Sequence, residues 1–209
     1  MPIHFFSSDT RTFILAVGIS ISLAFYFLLS IYIFPNMYRG LPKLKPIPLI
    51  SNVTIYPSAI QLGNTFDFNV VAENAGDNAD IQIISIAFPN MTHLDGLVGI
   101  KRSDFTQKPV FIKVGDKVGS DYVGEESPIN ARYASLEFFS RPWHPAVIHH
   151  LQLQIRPEIV GKFVIFLKAI ALPHINEFAH YPRKGIKDFQ NEFVSVYSLK
   201  VAKIENVRL

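Results

Sequence analysis

The chain has 209 residues, a formal net charge of +3 at pH 7 and no cysteine. The absence of cysteine excludes disulfides, thiolate metal sites and cysteine nucleophiles. The basic residues are scattered rather than clustered, which argues against nucleic acid as a partner.

An apolar stretch without a charged residue, 13–34, follows a short polar tail of residues 1–12. A helix of this length rises by about 1.5 Å per residue and covers the roughly 30 Å hydrocarbon core of a bilayer. A cleaved signal peptide is the alternative, but its apolar region is shorter and ends at small residues. This stretch ends in Phe34-Pro35. We therefore predict one transmembrane helix over 13–34, in contact with the lipid bilayer.

A proline-rich segment, 35–48, comes next. Proline fixes φ and removes a hydrogen-bond donor, so we expect an extended stalk. The basic residues Arg39, Lys43 and Lys45 follow the span, whereas Arg11 and the chain's amino group precede it. Counted alone, these charges favour a cytoplasmic C-terminal domain.

Residues 49–209 show the period-two alternation of half-buried strands. Phe66–Ala72 and Ile81–Phe88 are joined by a polar turn, so we expect a hairpin. Phe163–Ile170 is the most apolar segment, which predicts a central strand covered on both faces. Further strands are predicted at 53–57, 110–114, 151–155 and 193–201, while 133–139 fits a strand or a short helix.

These segments predict one mainly β domain over 49–209, an antiparallel immunoglobulin-like β-sandwich. The stretch around 89–147 is long for a connection in a compact sandwich. We therefore expect an insertion there.

The segment Phe66–Phe88, FDFNVVAENAGDNADIQIISIAF, resembles the immunoglobulin-like domains of CARDB and related adhesion or cell-surface families. In those domains an alternating strand is followed by Asn-x-Gly, a short polar turn, Ala and another strand. His149–Ala169, with its Pro157/Gly161 turn, is similar to their closing strands, although 89–147 departs from the pattern. The chain also resembles single-span exported proteins of ammonia-oxidising archaea. The resemblance implies an extracytoplasmic interaction module and supplies no catalytic residue.

Two N-glycosylation sequons begin at Asn52 and Asn90, at predicted strand edges or turns. Together with the sandwich type, they favour an outside location over the one indicated by the flanking charges. We expect a single-pass protein of the cell membrane with an extracytoplasmic C-terminal domain.

Histidine supplies the candidate metal ligands, because neutral imidazole suits both zinc and copper. If their segments meet at one end of the sandwich, three imidazoles and Glu177 could bind either metal. His149 and His150 are adjacent and point to opposite faces of a strand, so at most one joins a cluster. The spacing matches no established metal motif, and surface or hydrogen-bonded histidine at loop ends is the alternative. The candidates are His144, His149, His174 and His180.

The only tryptophan, Trp143, lies between two prolines and two residues after Arg141. In one interpretation Trp143 and Arg141 are presented to a partner, since aromatic residues dominate interface energies. In the other, which we favour, the ring caps the sandwich core and buries on the order of 150–250 Å².

No G-x-S-x-G elbow, glycine-rich phosphate loop or H-E-x-x-H occurs, so we predict no enzyme and no catalytic residue. Three functions are compatible with the sequence. The first is a membrane-anchored module that binds an envelope protein or serves as an accessory subunit of a membrane complex. The second is a copper or zinc binding accessory subunit of a membrane redox enzyme. The third is a carbohydrate-binding sandwich that uses Tyr122, Tyr133 and Trp143 as an aromatic platform.

Overall fold

The computed structural model describes residues 8–30, 44–118, 129–173 and 178–203, and the chain divides into two compact units, 1–43 and 44–209. The first unit contains helix α1, Ser8–Leu28. The helix begins at Ser8 rather than at Phe13, and residues 31–34 of the predicted span lie outside the described residues. In the described ranges, no helix combines the length and the apolarity that crossing a membrane requires.

The second unit is built from strands. Their bounds, in chain order, are β1 Pro48–Tyr56, β2 Ala59–Gln61, β3 Phe66–Asn74, β4 Ile81–Phe88, β5 Val98–Ser103, β6 Val110–Ile112, β7 Lys117–Val118, β8 Ile129–Asn130, β9 Ala134–Ser140, β10 Ile148–Ile155, β11 Gly161–Leu172, β12 Ala179–Tyr181, β13 Ile186–Lys187 and β14 Phe193–Ala202.

The strands form two main sheets. The first has the order β1-β3-β10-β5, and the second has the order β13-β14-β11-β4-β9-β6, with β12 beside β11 and β2 beside β14. Strands β7 and β8 pair only with each other in the described part of the chain. Pairing is antiparallel except between β2 and β14. The predicted mainly β, antiparallel sandwich is therefore confirmed.

The core lies between the two sheets. Strand β3 buries every second side chain, as its alternation predicts. Phe66 of β3 meets Phe163 of β11 with ring centroids 5.8 Å apart, and Phe68 meets Tyr197 of β14 at 5.9 Å. Each fully buried side chain of this size contributes roughly 1.5–3 kcal/mol relative to an exposed one. The sheets are held together mainly by these apolar contacts.

The predicted hairpin between β3 and β4 is wrong. Strand β3 pairs with β1 and β10 in the first sheet, whereas β4 pairs with β11 and β9 in the second. The two strands lie in different sheets because β4 is buried on both faces from Gln82 to Phe88. Such a strand belongs inside a sheet that is covered on both sides. The turn at 75–80 therefore crosses the core between sheets.

Strand β11 is central, as predicted, between β14 and β4. Its core-facing residues are fully buried, but most outward-facing ones are only half-buried. The region around 89–147 is more than an insertion. It supplies β5 to the first sheet and β6 and β9 to the second, and β9 has buried side chains on both faces.

The end of the predicted stalk belongs to the folded domain, while residues 35–43 lie outside the described part. The Lys45 N–H donates to Asp77 Oδ2 at 2.8 Å, and the Asp77 N–H donates to the Lys45 carbonyl at 3.0 Å. The Ile47 N–H donates to Asn74 Oδ1 at 2.9 Å, and the Ala75 N–H donates to the Ile47 carbonyl at 2.9 Å. The entry segment is thus fastened to the β3–β4 crossover.

The position of Gly76 explains why the Asn-x-Gly motif has a glycine there. A Cβ atom there would lie 2.2 Å from the Lys45 carbonyl oxygen and 2.6 Å from the Ile47 nitrogen. Both neighbours are backbone atoms that are already hydrogen-bonded to the crossover. Only glycine lets the two segments approach this closely.

We predict that Gly76→Ala destabilises the domain by about 2 kcal/mol or more, because overpacking against fixed backbone strains both segments. Urea unfolding of the full chain in detergent, followed by the fluorescence of Trp143, measures the change. Gly99→Ala is the matched control, since its Cβ would meet only the Gln154 carbonyl at 4.0 Å. Equal stability of the two variants would contradict the close-approach argument.

Candidate functional site

The described histidines do not converge. His144 is exposed, with Nδ1 3.2 Å from Asn78 Oδ1. His149 is buried in the core, and His180 donates from Nδ1 to the Pro182 carbonyl at 2.9 Å. His174 and Glu177 lie outside the described residues. Within the described ranges, no three His, Asp or Glu side chains are arranged to hold a metal ion.

His149 is the histidine with an unusual environment. Its ring stacks on Phe105 at 4.9 Å, and its Nε2 lies 3.4 Å from Ser140 Oγ. Burial lowers the pKa of His149, although the Asp104 charge opposes the shift and His150 adds to it. Nδ1 has no hydrogen-bond partner in the described structure, and Ser140 is fully buried. A catalytic pair needs an orienting group and substrate access, so this pair has the character of core packing.

Trp143 is buried rather than presented to a partner, in a small apolar cluster of its own beside the main core. Its ring is fully buried with Ala79, Ala171 and Ala179 around it, and its Nε1 donates to the Val147 carbonyl at 3.2 Å. Arg141 is exposed beside it. Arg141 is therefore available to a partner, whereas the Trp143 ring is not.

The aromatic platform predicted for carbohydrate binding lacks its tryptophan, because the Trp143 ring is buried. Tyr122 lies outside the described residues, and Tyr133 is half-buried with its ring edge-on to Phe166 and Phe189 at 5.7 and 4.9 Å. Because the Trp143 ring is buried, Tyr133 and Trp143 present no common flat surface to a sugar. The two sequons differ as well. Asn52 is exposed on β1, but Asn90 is half-buried and accepts a hydrogen bond from the Val164 N–H at 2.7 Å.

A buried ion cluster lies on the outer face of the second sheet. Lys168 of β11 donates to Asp188 Oδ2 at 2.9 Å, to Gln190 Oε1 at 2.8 Å and to Glu192 Oε2. The side chains of Lys168 and Asp188 are only 8% and 4% exposed. Burial by itself lowers the pKa of Lys168, but the Glu192 and Asp188 carboxylates outweigh it, so the pKa lies above its usual value. The lysine is charged and fully paired.

The turn that surrounds Lys168 is organised by its own hydrogen bonds. Asp188 Oδ1 accepts from the N–H groups of Gln190 at 2.8 Å and Glu192 at 3.1 Å. Asn191 has a positive φ of 65° and its N–H donates to the Asp188 carbonyl at 3.1 Å. The 188–192 turn therefore forms a ring of acceptors around one ammonium group and holds the chain before β14 against the sheet.

Glu137 of β9 lies in the same neighbourhood, one strand beyond Ser85, which pairs with Lys168 in the sheet register. Burial raises the pKa of Glu137. The Glu192 charge raises it further, whereas the Lys168 charge lowers it. Both side chains line a cavity of about 20 Å³, which has room for about one water molecule. A cluster without space for a substrate has a structural role.

Lys168 was missed as a special residue by the sequence analysis. The available signal was a lone charge inside the apolar segment Phe163–Ile170. A lysine in such a place is almost never buried unless it is paired. Its partners lie 20 to 24 residues further along the chain, beyond strands β12 and β13. Only the folded structure identifies them.

An exposed apolar edge is the second notable surface. We name it the β6 edge and define it by Val110, Phe111 and Val114, which are 47%, 41% and 44% exposed, with the exposed lysines Lys108, Lys113 and Lys117. Strand β6 pairs with β9 on one side. On its other side, no strand in the described ranges pairs with it. The surface combines free backbone, apolar side chains and positive charge.

Comparisons with known proteins give a fold likeness and no family. No family model matches the chain, and no curated protein matches it. Among solved structures, AvmM, described as catalysing macrocyclization in alchivemycin A biosynthesis, is 14% identical over 78% of this chain and 92% of its own, with a TM-score of 0.40. A cohesin module from a Clostridium perfringens family 33 glycoside hydrolase is 11% identical over 78% of this chain and 100% of its own, with a TM-score of 0.35.

The collagen-binding domain of a Staphylococcus aureus adhesin is 9% identical over 77% of this chain and 99% of its own, with a TM-score of 0.32. Likenesses at this level carry no argument about function. The description of the fold as a β-sandwich rests on the two sheets themselves.

We predict that Lys168→Met destabilises the domain by about 3–5 kcal/mol, because it leaves the buried Asp188 carboxylate and the partly buried Glu192 carboxylate without their counter-charge. Lys162→Met, an exposed change in the same strand, should alter stability by no more than about 0.5 kcal/mol. The triple variant Lys168→Met, Asp188→Asn, Glu192→Gln should recover part of the loss. Urea unfolding of the full chain in detergent measures all three. A loss of stability in Lys168→Met no larger than in Lys162→Met would show that the ion cluster around Lys168 does not stabilise the domain.

We predict a loss of stability on acidification that originates at His149. Its pKa is lower in the folded state than the usual 6.5, so between these two values the unfolded chain binds more protons. Stability is therefore intact above about pH 6.5 and falls as the pH drops through 6.5 to the folded-state pKa. His149→Phe should flatten this part of the profile, measured as melting temperature against pH. The exposed-site variant His93→Gln should keep the wild-type slope, and an unchanged slope in His149→Phe would assign the effect elsewhere.

Proposed function

We propose that the chain is a membrane-anchored, extracytoplasmic β-sandwich module of immunoglobulin-like type. In this proposal it binds another protein of the cell envelope or serves as an accessory subunit of a membrane complex. The observation that carries the anchoring is the uncharged stretch 13–34, in which every side chain from Leu15 to Leu28 is exposed. A helix that is apolar on all faces has no aqueous surface to present. A bilayer is the environment that suits it.

Binding rather than catalysis is supported by where the reactive groups lie. In the described ranges, the groups that resemble catalytic machinery are buried side chains of the core or of the ion cluster. Ser140 and His149 are buried, so a substrate cannot reach them. The charge of Lys168 is neutralised by its carboxylate partners. The accessible features are edges and faces of a sandwich. Exposed strand edges are surfaces to which segments of partner proteins bind.

The extracytoplasmic orientation is part of the same proposal. It is supported by the exposed sequon at Asn52 and by the sandwich type, and the charges of Arg39, Lys43 and Lys45 oppose it. Kinship with CARDB-type domains and with exported archaeal proteins is likewise proposed. Its support is the motif Asn74-Ala75-Gly76, in which the amide and the glycine have the structural roles described above.

We predict that the full chain stays in the membrane pellet after alkaline carbonate washing, whereas a variant lacking residues 1–43 appears in the supernatant. In intact cells, external protease should degrade residues 44–209 of the full chain. The double variant Leu23→Arg, Phe25→Arg places two charges in the apolar stretch and should weaken pelleting. Protection of the domain from external protease would overturn the orientation, and release of the full chain by carbonate would overturn the anchoring.

The binding part of the proposal is tested by extraction in a mild detergent followed by size-exclusion chromatography. A stoichiometric co-eluting protein is the expected result. Recovery of the chain only as a free monomer would count against the subunit interpretation.

A further inference from the structure

The open edges of the two sheets are protected to different degrees. Exposed backbone at a sheet edge pairs readily with another chain, and proteins block it with charges and proline. At β5 the edge carries Lys101 and Arg102, which pair with Asp67 at 2.9 Å and Asp104 at 3.0 Å. At β1 the strand starts at a proline and is followed by Pro57.

The β6 edge has Lys108 and Pro109 before its first residue, but the strand itself carries neither a charge nor a proline. Val110 and Phe111, two of the three residues of the strand, are large, apolar and exposed. Among the described residues, one ion pair lies there, between Lys113 Nζ and Asp95 Oδ2 at 3.6 Å, and its two side chains are 62% and 72% exposed. An exposed pair of this length contributes little. The lysine is therefore available to another carboxylate.

The charge of the β6 edge is one-sided. Lys108, Lys113 and Lys117 lie along it, with the exposed Arg132 near the β7–β8 hairpin. The one acidic residue within this stretch, Asp116, already accepts a hydrogen bond from the Lys113 N–H at 2.7 Å. Complementarity therefore calls for a negatively charged partner.

The β6 edge is also held in place before any partner arrives. Ile112 is buried, and β6 pairs with β9, whose residues Ala134, Leu136 and Phe138 are fully buried. Upstream of the strand, the Gln107 N–H donates to the Phe139 carbonyl at 3.1 Å. A strand that is already ordered loses little conformational freedom on binding.

We propose that the β6 edge binds an extended acidic segment of a partner protein by strand addition to the second sheet. Backbone groups of the segment pair with β6, its apolar side chains lie on the same face of the sheet as Phe111, and its carboxylates meet Lys108, Lys113 and Lys117. This inference rests on the proposed binding function and names the surface and the chemistry of the partner.

The test titrates the full chain in detergent micelles with a capped hexapeptide of alternating glutamate and valine. Binding is measured by calorimetry, and amide hydrogen exchange locates it. We expect protection of residues 110–112, binding that weakens with added salt, and affinity about fivefold lower in Lys113→Glu. The matched control is Lys200→Glu, the same change at an exposed lysine of β14. The affinity of this variant for the peptide should lie within about twofold of the wild-type value. A peptide with proline in place of valine lacks alternate N–H donors and should not bind.

Several results would overturn the inference. Equal weakening in Lys113→Glu and Lys200→Glu, binding of the proline peptide, protection at β1 or β5 instead, or no binding at millimolar peptide would each do so. A concentration-dependent dimer that is lost in Phe111→Ser would assign the edge to a second copy. If a co-eluting partner from the membrane remains bound in Phe111→Ser and Lys113→Glu, the binding function stands and this surface does not.

Discussion

The fold depends on one buried amide at the point where the chain passes from the first sheet to the second. Asn74 Oδ1 accepts the N–H groups of Ile47 at 2.9 Å and Gly76 at 3.1 Å, while Nδ2 donates to the carbonyls of Asp77 at 2.6 Å and Trp143 at 3.3 Å. In the described structure the groups of Ile47, Gly76 and Asp77 have no other backbone partner, and leaving such a group buried and unpaired costs about 1–3 kcal/mol. The Trp143 carbonyl also accepts from the Ala79 N–H at 3.0 Å. One side chain therefore fastens the entry segment, the crossover and the tryptophan loop together.

The crossover in turn explains the distribution of polar groups in the interior. Because β3 and β4 face each other across the core, the end near Asn74 also collects Gln82, Ser140 and His149, all buried. Trp143 closes this end through backbone hydrogen bonds with Ala79 at 2.8 and 3.0 Å. The Lys168 cluster lies on the outer face of the second sheet, where it holds a turn. In the first grouping, Ser140 Oγ accepts from the Thr106 N–H at 3.3 Å, whereas the Gln82 amide and His149 Nδ1 have no hydrogen-bond partner in the described structure.

Sequence patterns predicted which residues are buried better than which strands are neighbours. The alternation of β3, the central place of β11 and the burial of Trp143 follow from side-chain polarity, which the sequence states directly. The partner of β4 does not, because alternation indicates which face is buried but carries no information about which sheet receives it. Likewise the partners of Lys168 lie far along the chain. For the metal ligands, His174 lies outside the described residues, so that hypothesis stays a prediction.

The contrast between buried and exposed charge supports a binding module. Lysine at position 168 is surrounded by acceptors from one turn, so its charge is neutralised within the domain. Lysine at position 113 has one distant and exposed partner, so its charge projects outward. The same distinction separates the edges, since Lys101 and Arg102 of β5 are paired with Asp67 of β3 and with the nearby Asp104, whereas the lysines of the β6 edge are largely unpaired in the described structure. Charges that the fold leaves uncompensated beside free strand backbone provide the steering and the specificity of an interface.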